Sequence, residues 1–272
     1  CAVPVHAEVL RRKHCNNGSE GIRAMKDIIY RPNTVQAPKL IAHRGFAVDA
    51  PQNSIPAFTK AGKLGFWAIE TDVHATKDGV LVCNHDANID SMYNGSGSIA
   101  DMTYLELSKY RFRETFGIDT DEELGIPTFD QYLSICKEYG AIPFIETKTE
   151  DIETVLSKAA EYFSEDEIII SSLVLAHLTK VREISPKIFI HHIFSTPDTM
   201  HALGENGNCG VSYNYPDLSA IPCGLIEDTH THGVCLCLRA GDTPQLARKM
   251  IDLGLDYIPT NCTTNGQVGT YE

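Results

Sequence analysis

Short apolar runs alternate with amphipathic segments along most of the chain. Each short run is typical of a strand that is buried on both faces, as in a parallel sheet. The runs predict eight strands, at Leu40–Ala42, Ala68–Asp72, Ile142–Glu146, Ile168–Ser171, Ile188–His192, Gly210–Tyr213, Val234–Leu238 and Tyr257–Thr260. The helical spacing between them predicts helices at Asn53–Leu64, Phe129–Tyr139, Asp151–Tyr162, Leu173–Glu183, Asp198–Leu203, Leu218–Thr229 and Pro244–Leu253. This alternation predicts an α/β fold, a single (β/α)8 TIM-type barrel.

The alternation is interrupted once, after the second predicted strand. Val80–Cys83 predicts an extra strand and Met102–Tyr110 a short helix. Long excursions in barrels usually lie on the functional rim, so we expect an insertion at about 87–125 over the C-terminal mouth. Residues 1–38 are mixed and polar, and we expect them to form an N-terminal cover on a barrel that spans 39–272.

The composition is that of an ordinary globular protein, with 43% hydrophobic and 22% charged residues. The formal net charge of −13 argues against nucleic acid or an anionic membrane as partner, because both attract clustered Lys and Arg. No apolar run approaches the roughly 18 residues of a membrane span, so we expect no stable membrane insertion.

The nine cysteines are an odd number and show no metal-ligand spacing. We interpret most of them as small buried side chains in a reducing compartment. The start of the chain shows no signal-peptide pattern, and we expect a cytoplasmic protein. A secreted form, or one anchored by a lipid on Cys1, is the alternative, and the pattern leaves the oligomeric state open.

Polar side chains follow the first two predicted strands, where the active site of a βα barrel lies. His43 and Arg44 follow the first strand and combine a proton-transfer group with an anion-binding group. Glu70 and Asp72 are two positions apart on the second strand and therefore point to the same side. Two like charges there are costly without a cation, and oxygen ligands favour Mg²⁺ or Ca²⁺ over Zn²⁺. The alternative is a pair of solvated acids.

Two further positions extend this set. His85 follows the extra strand beside Asp86 and is a candidate second proton-transfer group, although such a pair often has a structural role. Glu146 and Lys148 share one face of the third strand, where the alternative is a surface ion pair of little energetic value. Together these residues suit phosphate-ester cleavage, with cations on the phosphoryl oxygens and two histidines to move protons.

The ordered motifs resemble those of glycerophosphodiester phosphodiesterases. The similarity is dense from Leu40 to Lys148 and fades beyond it. The motifs that carry it are His43-Arg44-Gly45, Pro51-Gln52-Asn53-Ser54, the run from Glu70 to Gly79, His85-Asp86, Asn94-Gly95-Ser96-Gly97, Ile126-Pro127-Thr128-Phe129 and Ile145-Glu146-Thr147-Lys148.

The resemblance implies a role for each residue of the set. Glu70, Asp72 and Glu146 would hold one divalent cation, Mg²⁺ or Ca²⁺. His43 and His85 would be the general acid and base, and the cations Arg44 and Lys148 would bind the phosphate. The reaction would release glycerol phosphate and an alcohol from a small glycerophosphodiester.

Four departures from the family pattern bear on the pocket for the glycerol and the alcohol. The family's Arg after the His-Asp motif is missing, and Ser91-Met92-Tyr93 stands in its place. Gln52 stands where the family usually has Glu, and Asn261 stands where Asp commonly follows the last Thr. The stretch Cys235–Arg239 replaces an aromatic Trp motif. The proposed catalytic residues themselves match the pattern.

Two other functions compete with this interpretation. A phospholipase-D-like lipase on a related barrel would use a similar set of His and carboxylates. A catalytically silent barrel that only binds a phosphate ligand is the second alternative. The Glu146-x-Lys148 motif and the expected lack of an apolar patch at the entrance favour the phosphodiesterase over the lipase, and the intact His43 and His85 argue against the silent barrel.

Overall fold

The computed structural model describes residues 39–238 and 240–269, so the expected N-terminal cover at 1–38 lies outside the described residues. The described chain contains nine strands. They are β1 (Leu40–Ala42), β2 (Ala68–Ala75), β3 (Leu81–Cys83), β4 (Ile142–Thr147), β5 (Ile169–Ser172), β6 (Phe189–His192), β7 (Cys209–Ser212), β8 (Cys235–Cys237) and β9 (Ile258–Thr260).

Eight of these strands form a parallel sheet in the order β8-β7-β6-β5-β4-β2-β1-β9, and β3 pairs antiparallel with β2. The two ends of the sheet approach each other at Asp256. Its backbone N–H donates to the Leu236 carbonyl at 3.0 Å, and its carboxylate accepts from the Leu236 N–H at 2.7 Å. The sheet is thus a nearly closed barrel, and the predicted barrel is confirmed.

Helices follow the strands on the outside of the barrel. The described helices are α1 (Ile55–Lys63), α2 (Tyr104–Leu107), α3 (Phe129–Tyr139), α4 (Ile152–Ala160), α5 (Leu175–Ile184), α6 (Pro197–Asn206), α7 (Leu225–Thr231), α8 (Pro244–Asp252) and α9 (Asn265–Val268). Local sequence fixes many of their ends. For example, the Thr128 hydroxyl accepts from the Gln131 N–H at the start of α3, and Gly140 ends that helix at a φ of 65°. No helix in the described ranges is long and apolar enough to cross a membrane.

One predicted helix is wrong. The pattern predicts a continuous helix over Leu218–Thr229, but the chain forms a short 3₁₀ turn at Leu218–Ala220 and begins α7 only at Leu225. Pro222 and Gly224 lie between them, and Gly224 has a φ of 83°, which L side chains rarely adopt. Proline and a left-handed glycine stop a helix at this point despite the apolar spacing.

Apolar side chains pack on both sides of the barrel wall. One cluster fills the space between the strands and the outer helices, with Ile69, Phe58 and Tyr132 fully buried. A second cluster fills the barrel interior and includes Phe144 and Tyr257, which are in edge contact. The side chains of β2 and β4 that point into the barrel are therefore apolar inside it and polar at the carboxyl ends of the two strands.

The chain between β3 and α3 has a small core of its own. It contains Ile89, Leu107 and the stacked pair Tyr93 and Phe112, whose ring centroids are 4.5 Å apart. Helix α2 is shorter than the predicted Met102–Tyr110. The segment packs at Gly117 against the backbone of Asp49, in the loop after β1, so it lies at the C-terminal end of the barrel. The division of the chain into cover, barrel and insertion stays a prediction.

Candidate active site

Three carboxylates converge at the mouth of the barrel. Asp72 on β2 is directly opposite Glu146 on β4 in the parallel register, and Glu70 lies two positions before Asp72. One oxygen from each lies within 4.8 Å of the others. Glu70 is 6% exposed and Asp72 is fully buried, so these are not the solvated acids of the alternative interpretation.

Two cations contact this carboxylate cluster. The Lys148 ammonium pairs with Glu146 Oε1 and lies 3.2 Å from Asp72 Oδ1. Arg44 Nε lies 3.5 Å from Asp72 Oδ2. The Glu146–Lys148 ion pair of the alternative interpretation does form. It is partly buried within a larger network of charged side chains and does not lie at an open surface.

The charges perturb one another's ionisation. Burial raises the pKa of Glu70 well above its ordinary value, and the charges of Asp72 and Glu146 raise it further. Burial and Asp72 likewise raise the pKa of Glu146. Burial alone would lower the pKa of Lys148, but Glu146 and Asp72 outweigh it and raise that pKa. The cluster is therefore short of positive charge even with Lys148 and Arg44 in contact.

A strained turn after β1 presents Arg44 to the cluster. Arg44 has a φ of 59°, and its backbone N–H donates to Glu70 Oε2 at 2.7 Å. The next residue must be glycine, because Gly45 has a φ of 80° and a Cβ there would lie 2.8 Å from the backbone of Ala57. The Arg44 guanidinium donates to Gln52 Oε1 at 2.8 Å, which holds the side chain at the mouth.

Asn53 fixes the position of the Asp72 carboxylate through hydrogen bonds, a role that the sequence interpretation did not give it. Its side-chain amide donates to Asp72 Oδ2 at 3.0 Å and its carbonyl oxygen accepts from Thr71 Oγ1 at 2.8 Å. Its φ of 51° is tolerated by Asn better than by most residues. Its place in the motif Pro51-Gln52-Asn53-Ser54 is the feature of the sequence that could have indicated this role.

His43 is oriented by two residues to which the sequence interpretation gave no such role. Its Nδ1 lies 2.8 Å from Asn261 Oδ1. The Asn261 amide in turn donates to Asp242 Oδ2 at 2.7 Å, and its backbone N–H donates to Asp242 Oδ1 at 2.7 Å. Because the Asn261 amide nitrogen is committed to Asp242, its oxygen must face His43, and Nδ1 of His43 must be the protonated nitrogen. Burial lowers the pKa of His43, and the bond to Asn261 only partly opposes this effect.

His85 lies at a more open position and has a different partner. Its Nδ1 bonds Asp86 Oδ1 at 2.8 Å, and its side chain is 37% exposed. The other Asp86 oxygen accepts from the Ser91 hydroxyl at 2.7 Å. The Ser91 bond, and then His85, lower the pKa of Asp86, which keeps this carboxylate ionised beside the imidazole.

The expectation of an entrance without an apolar patch stays a prediction. Six exposed apolar side chains stand on loops at the C-terminal end of the barrel and at the first residue of α5, and we call this set the apolar rim. Its members are Val48, Phe116, Leu173, Val174, Leu175 and Phe194.

Comparison with known proteins places the chain in a family. The profile of the glycerophosphoryl diester phosphodiesterase family matches residues 43–263. A glycerophosphodiester phosphodiesterase of Caldanaerobacter subterraneus subsp. tengcongensis is 32% identical over 232 residues, which cover 82% of this chain and 93% of that protein. The mouse glycerophosphodiester phosphodiesterase 1 is 35% identical over 114 residues, which cover 40% of this chain and 33% of the mouse protein.

A solved structure shares the fold. A phosphodiesterase of Oleispira antarctica, in complex with the product sn-glycerol-3-phosphate, superposes with a TM-score of 0.73 at 23% identity, over 83% of this chain and 93% of that protein. The family match spans every residue of the site described above, from His43 to Asn261. The chain therefore belongs to the glycerophosphoryl diester phosphodiesterase family and is a hydrolase of phosphoric diesters.

Proposed function

We propose that the enzyme hydrolyses small glycerophosphodiesters to glycerol phosphate and an alcohol with the help of one divalent cation. Glu70, Asp72 and Glu146 would hold the cation, and His43 and His85 would transfer the protons. The observation that carries the proposal is the convergence of three carboxylates at the mouth, each buried or nearly so. The substrate class follows from the family and from the product in the related phosphodiesterase.

The donor set fits a hard cation. All three ligands offer carboxylate oxygens, which suit Mg²⁺ or Ca²⁺. Burial, and then the like charges of Asp72 and Glu146, raise the pKa of Glu70, and a bound cation would offset both effects. When bound, the cation would neutralise negative charge that develops on the phosphoryl oxygens. Asn53 would keep the Asp72 carboxylate in place through its bond to Oδ2.

The two histidines differ in ways that suit opposite proton transfers. His43 enters the reaction neutral, because burial lowers its pKa, and its Nδ1 proton is committed to Asn261. Its Nε2 is therefore available as a proton acceptor. His85 is half exposed and its Nδ1 bonds Asp86, a position from which it would pass a proton to the leaving alcohol.

Arg44 and Lys148 would bind the phosphate. Arg44 is held at the mouth by Gln52, and its planar guanidinium suits bidentate phosphate contacts. Lys148 now pairs with two of the carboxylates. A cation on those carboxylates would take over their charge, and the Lys148 ammonium would be free to reach a phosphoryl oxygen.

Hydrolysis with controlled metal tests this function. Enzyme treated with chelator is expected to release no glycerol phosphate from glycerophosphocholine or glycerophosphoethanolamine, and added Mg²⁺ or Ca²⁺ is expected to restore release. The two metals, added separately, identify the preferred ion. Full activity in chelator would contradict the role of the carboxylates, and retention of metal and ligand without any turnover would support the silent barrel.

A paired exchange tests the support of His43. Asp242→Asn removes the group that orients Asn261, and we expect kcat/KM to fall roughly tenfold because the imidazole loses its fixed orientation. Asn261→Asp alone places a second carboxylate beside that of Asp242, and the two repel each other. The double variant restores one carboxylate and one amide with their positions exchanged, and we expect it to recover to within about threefold of the parent. A double variant no better than either single variant would remove Asp242 from this role.

A further inference from the structure

Two histidines and one aspartate converge on the helices outside the barrel. His201 lies on α6, Asp228 lies on α7, and His232 is the C-cap residue of α7. One ligand atom from each lies within 4.8 Å of the others. Within the described ranges, this group and the carboxylate cluster at the mouth are the two sets of metal-ligating side chains that come together in this way.

Asp228 contacts both histidines. His201 Nε2 lies 2.9 Å from Asp228 Oδ2, and His232 Nδ1 lies 3.4 Å from Asp228 Oδ1. The two imidazole rings stack, with centroids 4.1 Å apart and an interplanar angle of 28°. Ligand atoms about 2.0–2.1 Å from a tetrahedral zinc ion are roughly 3.3 Å from one another. Both contacts are therefore close to the separation that a shared ion needs.

Two local features bring these three residues together. Asp228 and His232 are four positions apart at the end of α7 and therefore share a face of the helix. Helix α6 comes close to them at Gly204, where a Cβ would lie 2.8 Å from the carbonyl oxygen of His232 and 3.1 Å from its Cβ. Glycine weakens the interior of a helix. Its presence in α6 is explained by this close approach, which brings His201 beside His232.

The donor atoms are of the kind that transition metals prefer. Two imidazole nitrogens and one carboxylate oxygen suit Zn²⁺, Co²⁺ or Ni²⁺ better than Mg²⁺ or Ca²⁺, which favour oxygen ligands alone. The three side chains are between 38% and 43% exposed, so an ion can reach them directly from solvent. The formal net charge of −13 also raises the concentration of cations near the surface of the protein.

We propose that His201, Asp228 and His232 bind one divalent transition-metal ion, of which Zn²⁺ is the representative. The ion would replace the proton shared by His201 and Asp228. It would compete with the Asp228 backbone carbonyl oxygen, which lies 2.9 Å from His232 Nδ1 in the structure. This inference does not rest on the proposed function, because the three residues are separate from the carboxylate cluster.

The ion would link two helices beside the seam of the barrel. Strand β8 follows α7 and pairs with β7, whereas on its other side the described contacts to the chain before β9 are those between Leu236 and Asp256. A metal ion that joins α6 to α7 would hold this last part of the barrel in place. Because the ion binds only the folded arrangement, we expect it to stabilise the protein and to take no part in hydrolysis.

Metal retention in excess Mg²⁺ tests the proposal. The full chain is stripped with chelator, returned to excess Mg²⁺, and then titrated with Co²⁺ or Zn²⁺. We expect the parent to bind one such ion, with visible absorption bands for Co²⁺ held by nitrogen ligands, and to gain Tm with Zn²⁺. His201→Gln and His232→Gln should each weaken this binding at least about tenfold and abolish the gain in Tm.

His230→Gln is the matched control for these variants. His230 lies on the same helix and its Nε2 also pairs with an aspartate, Asp256, at 3.0 Å. This variant should bind Co²⁺ and Zn²⁺ as the parent does. A parent that binds neither ion would overturn the proposal, as would equal binding by the parent and both test variants.

A variant of the carboxylate cluster separates this site from the proposed active site. An ion that displaces Mg²⁺ at the mouth would still bind to His201→Gln and His232→Gln and would be lost from Glu70→Gln. The ion proposed for the outer helices should bind to Glu70→Gln with parent affinity. Loss of Co²⁺ binding only in Glu70→Gln would refute the outer site and leave the proposed function intact.

Discussion

The His43→Ala enzyme is expected to hydrolyse glycerophosphocholine at least about a hundredfold more slowly than the parent, because it lacks a positioned proton-transfer group. His43 is partly buried, its pKa is lowered by that burial, and its Nδ1 is committed to Asn261, so a solvent base does not easily replace its Nε2. The loss should appear mainly in kcat, since the imidazole acts on the proton and contributes little to substrate binding. Steady-state kinetics with metal at saturation checks this expectation.

Metal affinity and a second histidine serve as controls for this variant. Titration with Mg²⁺ or Ca²⁺ should give nearly the parent affinity, because His43 is not among the three proposed ligands. His201→Ala, on the outer helix α6, should retain parent turnover, since His201 bonds only Asp228 among the described contacts that involve its ring nitrogens. Near-parent turnover of His43→Ala would remove this residue from the mechanism.

The Glu70→Gln enzyme is expected to lose roughly a hundredfold or more in kcat/KM, because it binds the cation more weakly and the transition state is then less stabilised. In the absence of metal, the free energy of unfolding of this variant should be higher than that of the parent. The pKa of Glu70 is raised in the folded state, so the ionised carboxylate destabilises the fold at pH values above its unfolded pKa. A neutral amide removes that penalty at neutral pH and keeps an oxygen to accept from the Arg44 N–H.

Thermal unfolding with and without metal separates these two effects. The parent should gain Tm on addition of the cation, because ligand that binds only the folded state stabilises it. Glu70→Gln should match or exceed the parent Tm in chelator and gain much less when the cation is added. An undiminished metal-induced gain would show that Glu70 is not a ligand, whereas a large fall in Tm in chelator would assign it a structural role.

Residues at strand ends were predictable because two local rules fix them. A parallel barrel brings the carboxyl ends of its strands together, and residues two apart on a strand share a face. These rules were enough to bring Glu70, Asp72 and Glu146 to one mouth. They also predicted the Glu146–Lys148 contact, but not that the same ammonium would reach Asp72.

The support of His43 was not predictable in the same way. Asn261 is 218 positions away in sequence, and its contact depends on β9 lying beside β1 in the closed barrel. Asp242 stands in the loop before α8, where nothing in the local pattern distinguishes it from a solvated acid. The apolar rim was missed for a related reason, since Leu173 and Val174 have the same composition as a buried run and only the fold leaves them exposed.

The most direct test of the central claim is a crystal structure of the enzyme with Mn²⁺, located by its anomalous scattering, and with glycerol phosphate bound. The account predicts one ion held by Glu70, Asp72 and Glu146, with the phosphate against Arg44 and Lys148 and within reach of His43 and His85. An ion bound elsewhere with these carboxylates still paired to Lys148, or a phosphate bound away from the two histidines, would contradict it.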